Sequence, residues 1–367
     1  MTTDILSPIS FARGPAWPNR MALAPLTNKQ SHDDGTLSDA EQHWLVKRAD
    51  GGFGLVMTCA AHVQAVGQGF PGQMGIFADR HIERLKGLAD AIRARGSISS
   101  VQLHHAGNRS DKSVVPHPVG ASDDPESGAR GLTTAEVEQL RDDFIAGARR
   151  AEAAGFDGVE VHGAHGYILA QFLSAEVNHR EDRYGGSFEN RSRIVVEILD
   201  GIRAACGPDF QLGLRVSPER FGMRLPEIVG FVADLMAGDK VDYIDLSLWD
   251  FRKMPVDADQ QDKSLLGHFI DLPRHKARLG GAGKMRNAAD AREALDAGLD
   301  FVMYGRSAIL THDIPNRIAR TGDYQPPKLP VSPAHLAAEG LSPIFIEYMR
   351  DWKGFVADET ETGVAAG

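Results

Sequence analysis

The sequence predicts an α/β fold: a (β/α)8 barrel of the TIM type, followed by a proline-rich C-terminal extension. Short apolar runs recur eight times along the chain, and most are followed by a segment with helically spaced apolar residues. No G-x-G-x-x-G motif follows the first run, Met21–Ala24, where an open dinucleotide-binding sheet usually carries one. A closed barrel is therefore favoured over an open sheet.

The strands are predicted where apolar and β-branched residues cluster, and the helices where apolar residues recur every three or four positions. Glu136 and Glu138 favour a helix that begins at Thr134, because carboxylates stabilise the positive end of a helix. The predicted strands are Met21–Ala24, Gly54–Thr58, Ile98–Leu103, Gly158–Val161, Leu212–Val216, Tyr243–Leu246, Arg278–Ala282 and Phe301–Tyr304. The predicted helices are Ile82–Ala94, Thr134–Ala154, Arg191–Ala205, Leu225–Met236 and Ala288–Ala297.

Two regions depart from this repeat. Between Leu246 and Arg278 no long helical pattern is present, which predicts an active-site loop and a shortened helix. Residues 1–322 are expected to form the barrel, and residues 323–367 a C-terminal extension that packs on it or on a neighbouring subunit of a homo-oligomer. The extension is rich in proline and then has apolar residues at helical spacing, namely Ile344, Phe345, Tyr348, Met349 and Trp352.

Composition excludes several classes of protein. Cys59 and Cys206 are the only cysteines of the 367 residues, too few for a disulfide framework or an iron–sulfur cluster. The net charge of −10 comes without a Lys/Arg block, so no nucleic-acid partner is expected. No apolar run reaches the ~20 residues of a membrane span, and Met1 to Arg20 lacks the apolar core of a signal peptide. We expect a cytoplasmic enzyme with no membrane partner.

The most informative segment follows the fourth predicted strand. That strand ends at His162, and His165 and Tyr167 come directly after it, where an α/β barrel places its chemistry. The stretch resembles the old yellow enzyme family of flavin-dependent ene-reductases, in which H-x-A-(N/H)-G-Y follows this strand. The family's Tyr-Gly-Gly-Ser-x-Glu-Asn-Arg loop is also present, at residues 184–191. The resemblance covers Asn19 to Arg306.

The resemblance implies a non-covalent FMN cofactor. Thr27 would hydrogen-bond the flavin carbonyl nearest N5, and Gln102 would bind the pyrimidine edge. Arg215 would face the N1–C2 edge, where its positive charge would favour the anionic reduced flavin. Arg306 would bind the phosphate, and Lys284 stands where many relatives have glycine. The full set implied for FMN is Ala24, Pro25, Leu26, Thr27, Ala60, Gln102, Arg215, Gly283, Lys284, Gly305 and Arg306.

The resemblance also implies the reaction. NADH or NADPH, between which the sequence does not choose, would reduce the flavin, which would then pass a hydride to an electron-poor alkene bearing a carbonyl or nitro group. His162 and His165 would donate hydrogen bonds to the substrate oxygen. They share a face if the turn between them is helical. Tyr167 would protonate the alkene. Asn28, His104 and Trp249 are expected to border the substrate with the two histidines.

Two alternatives stay open on the residues alone. His104, His105, His162 and His165 could instead hold a metal in a barrel hydrolase. The carboxylate ligands that such a site needs are not found at matching strand ends, so no metal is expected. The second alternative is a flavin-binding barrel that has lost turnover. Bound oxidised flavin is yellow whereas a zinc hydrolase is colourless, and steady NAD(P)H consumption with cyclohexenone would separate an enzyme from a binding module.

Overall fold

The computed structural model describes residues 4–358, so Met1–Thr3 and residues 359–367 of the predicted extension lie outside it. Eight parallel strands close into a barrel in the order β1-β10-β9-β8-β7-β6-β3-β2, as the sequence predicts. Two further strands, β4 and β5, pair with each other outside the barrel. The strands are β1 Met21–Leu23, β2 Leu55–His62, β3 Ile98–His104, β4 Val119–Gly120, β5 Arg130–Gly131, β6 Gly158–Gly163, β7 Gln211–Val216, β8 Tyr243–Ser247, β9 Arg278–Ala282 and β10 Phe301–Tyr304.

The helices follow the strands and cover the outside of the barrel. Thr133 begins the helix at Thr134 with a full capping box. Its hydroxyl accepts from the Glu136 N–H, and the Glu136 carboxylate accepts from the Thr133 N–H. The helices are α1 Asp39–Asp50, α2 Ile82–Arg93, α3 Thr134–Ala153, α4 Ile168–Leu173, α5 Phe188–Ala205, α6 Leu225–Ala237, α7 Gly267–Ile270, α8 Ala288–Asp296, α9 Arg306–Leu310, α10 Ile314–Thr321, α11 Pro333–Ala338 and α12 Pro343–Arg350.

An aromatic cluster fills the amino-terminal end of the barrel. The Trp17 ring lies 4.8 Å from Phe301 and 5.6 Å from Tyr243, centroid to centroid, and its indole N–H donates to Gln211 at 3.0 Å. Gly213 leaves room for this packing, because a Cβ there would come within 2.1 Å of the Tyr243 ring. Because described side chains fill the amino-terminal end of the barrel, the ligand site is expected at the carboxyl ends of the strands.

Most predicted elements match the structure within one or two residues, with differences at the functional end. The second strand runs four residues beyond its prediction, to His62, after a register shift between Met57 and Ala60. Helix α1 was not predicted, because its inner face buries Glu41 and Arg48 and so hides the apolar stripe. The long connection after β8 holds one short α-helix, α7, as expected, preceded by a 3-10 turn at Ala258–Gln260.

Residues 323–358 pack on the barrel wall. Phe345 of α12 is fully buried and its ring packs 5.5 Å from that of Trp44 on α1. A backbone bridge between Val331 and Val356 ties the two ends of the segment together. Within residues 4–358, no helix is long and apolar enough to cross a membrane. Whether residues 323–367 are a separate unit stays a prediction.

Candidate active site

Two adjoining cavities open at the carboxyl ends of the barrel strands. The first, of about 190 Å³, lies between β3, β6 and the C-terminal segment. The second, of about 510 Å³, lies over the ends of β8, β9 and β10. Both are lined by Pro25, Leu26, His165, Arg215 and Trp352, which makes them two parts of one site. Their combined size is in the range of cofactor and ligand pockets, roughly 300–1,000 Å³.

Three histidines and one tyrosine form a wall of the first cavity. The His162 ring lies 5.1 Å from His165, 5.5 Å from His104 and 5.2 Å from Tyr167, centroid to centroid. The turn between the two histidines is not helical, because His162 is still in strand β6 and His165 has a φ of +62°. A left-handed turn through His165 and Gly166 brings the rings together instead.

Burial keeps these histidines neutral at pH 7. It lowers the pKa of His165 to about 3, and it holds the pKa values of His104 and His162 well below the usual range. A neutral imidazole carries one N–H, so its hydrogen bonds decide where that donor points. The backbone N–H of Ala164 donates to Nδ1 of His162 at 3.3 Å, which leaves Nε2–H of His162 as the donor.

Two serines that sequence reasoning missed hold His165. Nε2 of His165 lies 2.6 Å from the Ser247 hydroxyl, and the backbone N–H of His165 donates to the Ser217 hydroxyl at 3.0 Å. If Ser247 donates to Nε2, the N–H of His165 is on Nδ1. Ser217 follows β7 directly and Ser247 is the last residue of β8, so their position at strand ends was the available signal.

Tyr167 borders the first cavity. Burial raises the pKa of its phenol, with Arg109 acting in the opposite direction, so the group stays protonated at neutral pH. Its ring lies 4.4 Å from that of His104, edge to face. Within residues 4–358 the hydroxyl makes no hydrogen bond, and Tyr167 lines the cavity. The hydroxyl is therefore available to a ligand.

A charged network lies below the site, inside the barrel. Nε of Arg215 lies 3.1 Å from Oδ2 of Asp245, close enough for an ion pair but without the alignment of a hydrogen bond. The Gln102 amide nitrogen donates to a Glu160 carboxylate oxygen at 2.8 Å. One N–H of Gln102 therefore bonds inside the barrel, and the amide carbonyl oxygen is left for the cavity. Burial, reinforced by Asp245, raises the pKa of Glu160 to about 8.

These residues fit the FMN that the sequence predicts. The terminal nitrogens of Arg215 have no hydrogen-bond partner in the described chain, and the side chain lines both cavities. The register shift in β2 sets Ala60 beside Gln102, and both line the first cavity with Thr27. Such a bulge commonly re-aims a side chain next to an active site. The first cavity thus has both polar side chains, which can bind the edge of a flavin ring, and apolar ones such as Leu26, which can pack on its face.

The second cavity suits the phosphate end of the cofactor. It is lined by Gly283, Lys284, Gly305 and Arg306, which the resemblance places at the phosphate, and by Ala24, which it places in the FMN site. A Cβ at Gly283 would come within 2.8 Å of a backbone nitrogen, so glycine is required there. The Lys284 ammonium pairs with Asp250 at 2.9 Å, whereas Arg306 is exposed and has no carboxylate partner within residues 4–358. Arg306 is therefore available to a phosphate, as is Arg286, which lines the same cavity and whose side chain also lacks a carboxylate partner within residues 4–358.

Two predicted residues do not reach the cavity. Asn28 is fully buried, donates to Glu41 at 2.9 Å and accepts from the Gln30 N–H, so it cannot border a substrate as expected. His105 points away, since its Nδ1 accepts from the Gly107 N–H at 3.0 Å and it lines neither cavity. In the described part of the chain, no three His, Cys, Asp or Glu side chains are grouped to hold a metal ion. The four-histidine site is thus not formed.

Trp249 and the C-terminal segment complete the walls. Trp249 is 70% exposed and lines the second cavity. Tyr348, Met349 and Trp352 line the first cavity, although the sequence alone favoured a packing role for their segment. Their helical spacing could not reveal this, because a residue that packs on the barrel wall and one that reaches its mouth have the same periodicity.

Comparison with known proteins identifies the family. Residues 4–323 match the model of the NADH:flavin oxidoreductase / NADH oxidase family. The chain is 36% identical over 318 residues to a probable NADH-dependent flavin oxidoreductase, YqiG, of Bacillus subtilis, covering 83% of this chain and 85% of that protein. It is 33% identical to a putative 12-oxophytodienoate reductase 4 of Oryza sativa, covering 82% of each chain.

The structural comparison agrees. Morphinone reductase superposes with a TM-score of 0.77 at 26% identity, covering 92% of this chain and 93% of that one. The fold, the paired cavities and the sequence matches point to the same group of FMN- and NAD(P)H-dependent enzymes. The chain belongs to the NADH:flavin oxidoreductase / NADH oxidase family, known as the old yellow enzyme family.

Proposed function

We propose that this chain uses NAD(P)H and FMN to reduce the C=C bond of α,β-unsaturated carbonyl or nitro compounds. The observation that carries the proposal is the wall formed by His162, His165 and Tyr167, beside a cavity whose other wall includes Arg215. The two reductases reported above, for 12-oxophytodienoate and morphinone, carry names that support an unsaturated ketone as the substrate class.

Bound FMN supplies the hydride, and the residues around it hold and polarise the substrate. His162 and His165 donate hydrogen bonds to the carbonyl or nitro oxygen, where negative charge grows as hydride adds to the β-carbon. Because both imidazoles are neutral and already held by Ala164 and Ser247, little reorganisation is needed when the charge develops. Losing such a donor typically costs about 2.7–4 kcal/mol of transition-state stabilisation.

Tyr167 completes the reaction by moving a proton. Its phenol, protonated at neutral pH, gives a proton to the α-carbon and afterwards regains one from solvent. The phenol and the imidazoles thus have separate roles, one as an acid and the others as donors to the oxygen. His104 packs against the Tyr167 ring and limits the positions that the phenol can take.

The residues assigned to FMN divide between the two cavities. Thr27, Ala60, Gln102 and Arg215 would hold the ring, and the loops of Gly283 and Arg306 would hold the phosphate. Arg215 keeps a positive charge at the ring edge although Asp245 lies beside it. This charge favours the reduced, anionic cofactor.

The test combines cofactor identity with turnover. The purified protein is denatured, and the released flavin is separated against FMN and FAD standards. We expect FMN, together with steady NAD(P)H consumption when cyclohexenone is added without oxygen. Recovery of FAD, or of no flavin after attempted reconstitution, would refute the cofactor assignment, and FMN without turnover of enones or nitroalkenes would leave a binding protein.

A further inference from the structure

The mouth of the site carries positive charges that the chain leaves without carboxylate partners. The Arg109 guanidinium carbon lies 5.6 Å from the centroid of the Tyr167 ring and 5.8 Å from that of Phe221. The Arg220 guanidinium lies 5.0 Å from the Trp249 ring. Both arginines are exposed, and neither forms an ion pair or a side-chain hydrogen bond within residues 4–358. On a chain of net charge −10, two such arginines beside one cavity are notable.

The backbone is strained to put these groups in place. Arg220 and Phe221 are consecutive non-glycine residues with φ of +70° and +55°, in the left-handed region that ordinary side chains avoid. The bend packs the Phe221 ring against the left-handed turn through His165 and Gly166, since a Cβ at Gly166 would come within 2.8 Å of that ring. Strain of this kind is found mainly at functional sites, where the surrounding structure holds it. The same bend places the Phe221 ring beside the Arg109 guanidinium and the Arg220 guanidinium beside the Trp249 ring.

The carboxylates near the two arginines do not pair with them within residues 4–358. Asp124 and Glu126 line the groove that holds Arg109, but Asp124 accepts from Asn108 at 2.8 Å and from Ser127 at 2.7 Å, and neither acid pairs with Arg109. Glu219, next to Arg220, pairs with Lys253 and accepts from a backbone N–H. The two guanidinium groups are therefore not neutralised from within the described chain.

We propose that Arg109 and Arg220 form an anion-binding site at the cavity mouth. A planar guanidinium stacked on aromatic rings keeps its edge available for two parallel hydrogen bonds to a carboxylate or phosphate. Arg109 lies against Tyr167, so an anion bound there reaches the proton donor of the proposed reaction. This inference rests on the proposed function and deepens it: the anion is the carboxylate of an unsaturated keto acid or a phosphate group of NAD(P)H.

The test compares an acid with its uncharged ester. Binding of 3-benzoylacrylic acid and of its methyl ester to the oxidised, FMN-loaded protein is followed by the flavin spectrum, which requires no turnover. The variants are Arg109→Gln, Arg220→Gln and the double variant. The control is Arg224→Gln, an exposed arginine at the start of α6 that pairs with Glu227. Flavin content and thermal unfolding confirm that each variant folds. A second arm measures the dissociation constants of NADH and NADPH in anaerobic reduction.

We expect Arg109→Gln and Arg220→Gln each to weaken the binding of the anion about two- to fivefold relative to the ester, and the effect to shrink as salt increases. A shift confined to the acid identifies the carboxylate, and a shift confined to NADH or NADPH identifies the nucleotide phosphate; either supports the site. The inference is overturned if the acid-to-ester ratio and both nucleotide constants stay unchanged, or if Arg224→Gln changes them equally. Failure of the wild type to reduce either alkene would instead contradict the proposed function.

Discussion

The Tyr167 hydroxyl makes no hydrogen bond within residues 4–358 and borders the site cavity, so we expect it to act in the alkene half-reaction alone. Tyr167→Phe should leave FMN content and anaerobic reduction by NAD(P)H nearly unchanged. Enone turnover should fall about 10²- to 10⁴-fold, the usual contribution of a general acid. A nitroalkene should lose less, because its nitronate product can leave unprotonated. Rapid mixing measures both half-reactions separately. An equal drop in the two would mean that Tyr167 only shapes the pocket.

The two donors to the substrate oxygen are tested with a phenol, whose anion mimics the developing oxyanion. His162→Ala and His165→Ala should each weaken phenol binding about tenfold to a hundredfold, as expected for a hydrogen bond to a charged group worth about 1.5–3 kcal/mol. Spectral titration of the FMN-loaded protein gives the dissociation constants. His105→Ala is the matched control, since this buried histidine lies next to His104 but points away from the cavity. Phenol binding that is unaltered in both site variants would contradict their role.

Arg215 and Asp245 should move the flavin potential in opposite directions. Arg215→Met removes the cation beside the reduced cofactor, so the potential should fall and FMN should bind more weakly. A charged hydrogen bond worth about 1.5–3 kcal/mol corresponds to roughly 30–65 mV for a two-electron couple. Asp245→Asn removes the opposing charge 3.1 Å away and should raise the potential. Spectroelectrochemical titration provides the values, and shifts of the same sign in both variants would refute this assignment.

At the scale of elements, helix α12 connects stability to the site. Phe345 is fully buried against the rest of the fold, whereas its neighbour Ile344 is 59% exposed. Phe345→Ala should cost about 3–5 kcal/mol of unfolding free energy and raise the substrate KM, because Tyr348 and Met349 of the same helix line the cavity. Ile344→Ala should change both little. Denaturant titration and steady-state kinetics decide, and similar effects of the two variants would show that α12 does not shape the site.

The elements that sequence predicted well are those whose burial follows a simple period. Strands such as Arg278–Ala282 and Phe301–Tyr304 are matched to the residue, since buried parallel strands are continuous apolar runs. Helix α1 was not predicted because Glu41 and Arg48 are buried and form hydrogen bonds inside the fold. Periodicity counts polar residues as exposed, so it cannot detect a helix that buries them.

The site itself was predicted in its motifs and missed in its contacts. The residues of the His162 motif and the Arg215 strand end came from the sequence, because chain neighbours stay together in the fold. Ser247, Asp245 and Tyr348 reach the site through pairings distant in sequence, such as the β7–β8 register that sets Arg215 beside Asp245. Asn28 was misplaced for the same reason, since its partner Glu41 lies on a helix that was not predicted.

For the whole molecule, the buried histidines predict how stability depends on pH. Burial lowers their pKa values in the folded chain. Below pH ~6.5 the unfolded chain therefore binds more protons than the folded chain, and the free energy of unfolding decreases as pH falls. Acids with raised pKa act oppositely between pH ~4.5 and 6.5 but are fewer. The histidines are His62, His81, His104, His105, His162 and His165, and the opposing acids are Glu41, Glu160 and Asp245.

With six histidines against three acids, the net difference is three protons when all nine groups respond fully, and the slope is then about 4 kcal/mol per pH unit in that window. Urea unfolding at saturating FMN should therefore show a clear loss of stability from about pH 6.5 to about pH 5. Carboxylates with lowered pKa, such as Glu136, contribute only below this window. Stability that is constant or rises towards pH 5 would contradict the neutral state of the histidines.

Association of subunits through the C-terminal segment stays a prediction.

The proposed transfer of a hydride to an electron-poor alkene is tested by a single anaerobic mixing experiment. The FMN-loaded protein is reduced with one equivalent of NADH or NADPH, freed of nucleotide and mixed with cyclohexenone. We expect the flavin to be reoxidised as one equivalent of cyclohexanone forms, and the process to slow strongly in the His162→Ala, His165→Ala and Tyr167→Phe variants. Flavin that stays reduced with cyclohexenone and with a nitroalkene, and is reoxidised by dioxygen alone, would contradict the account.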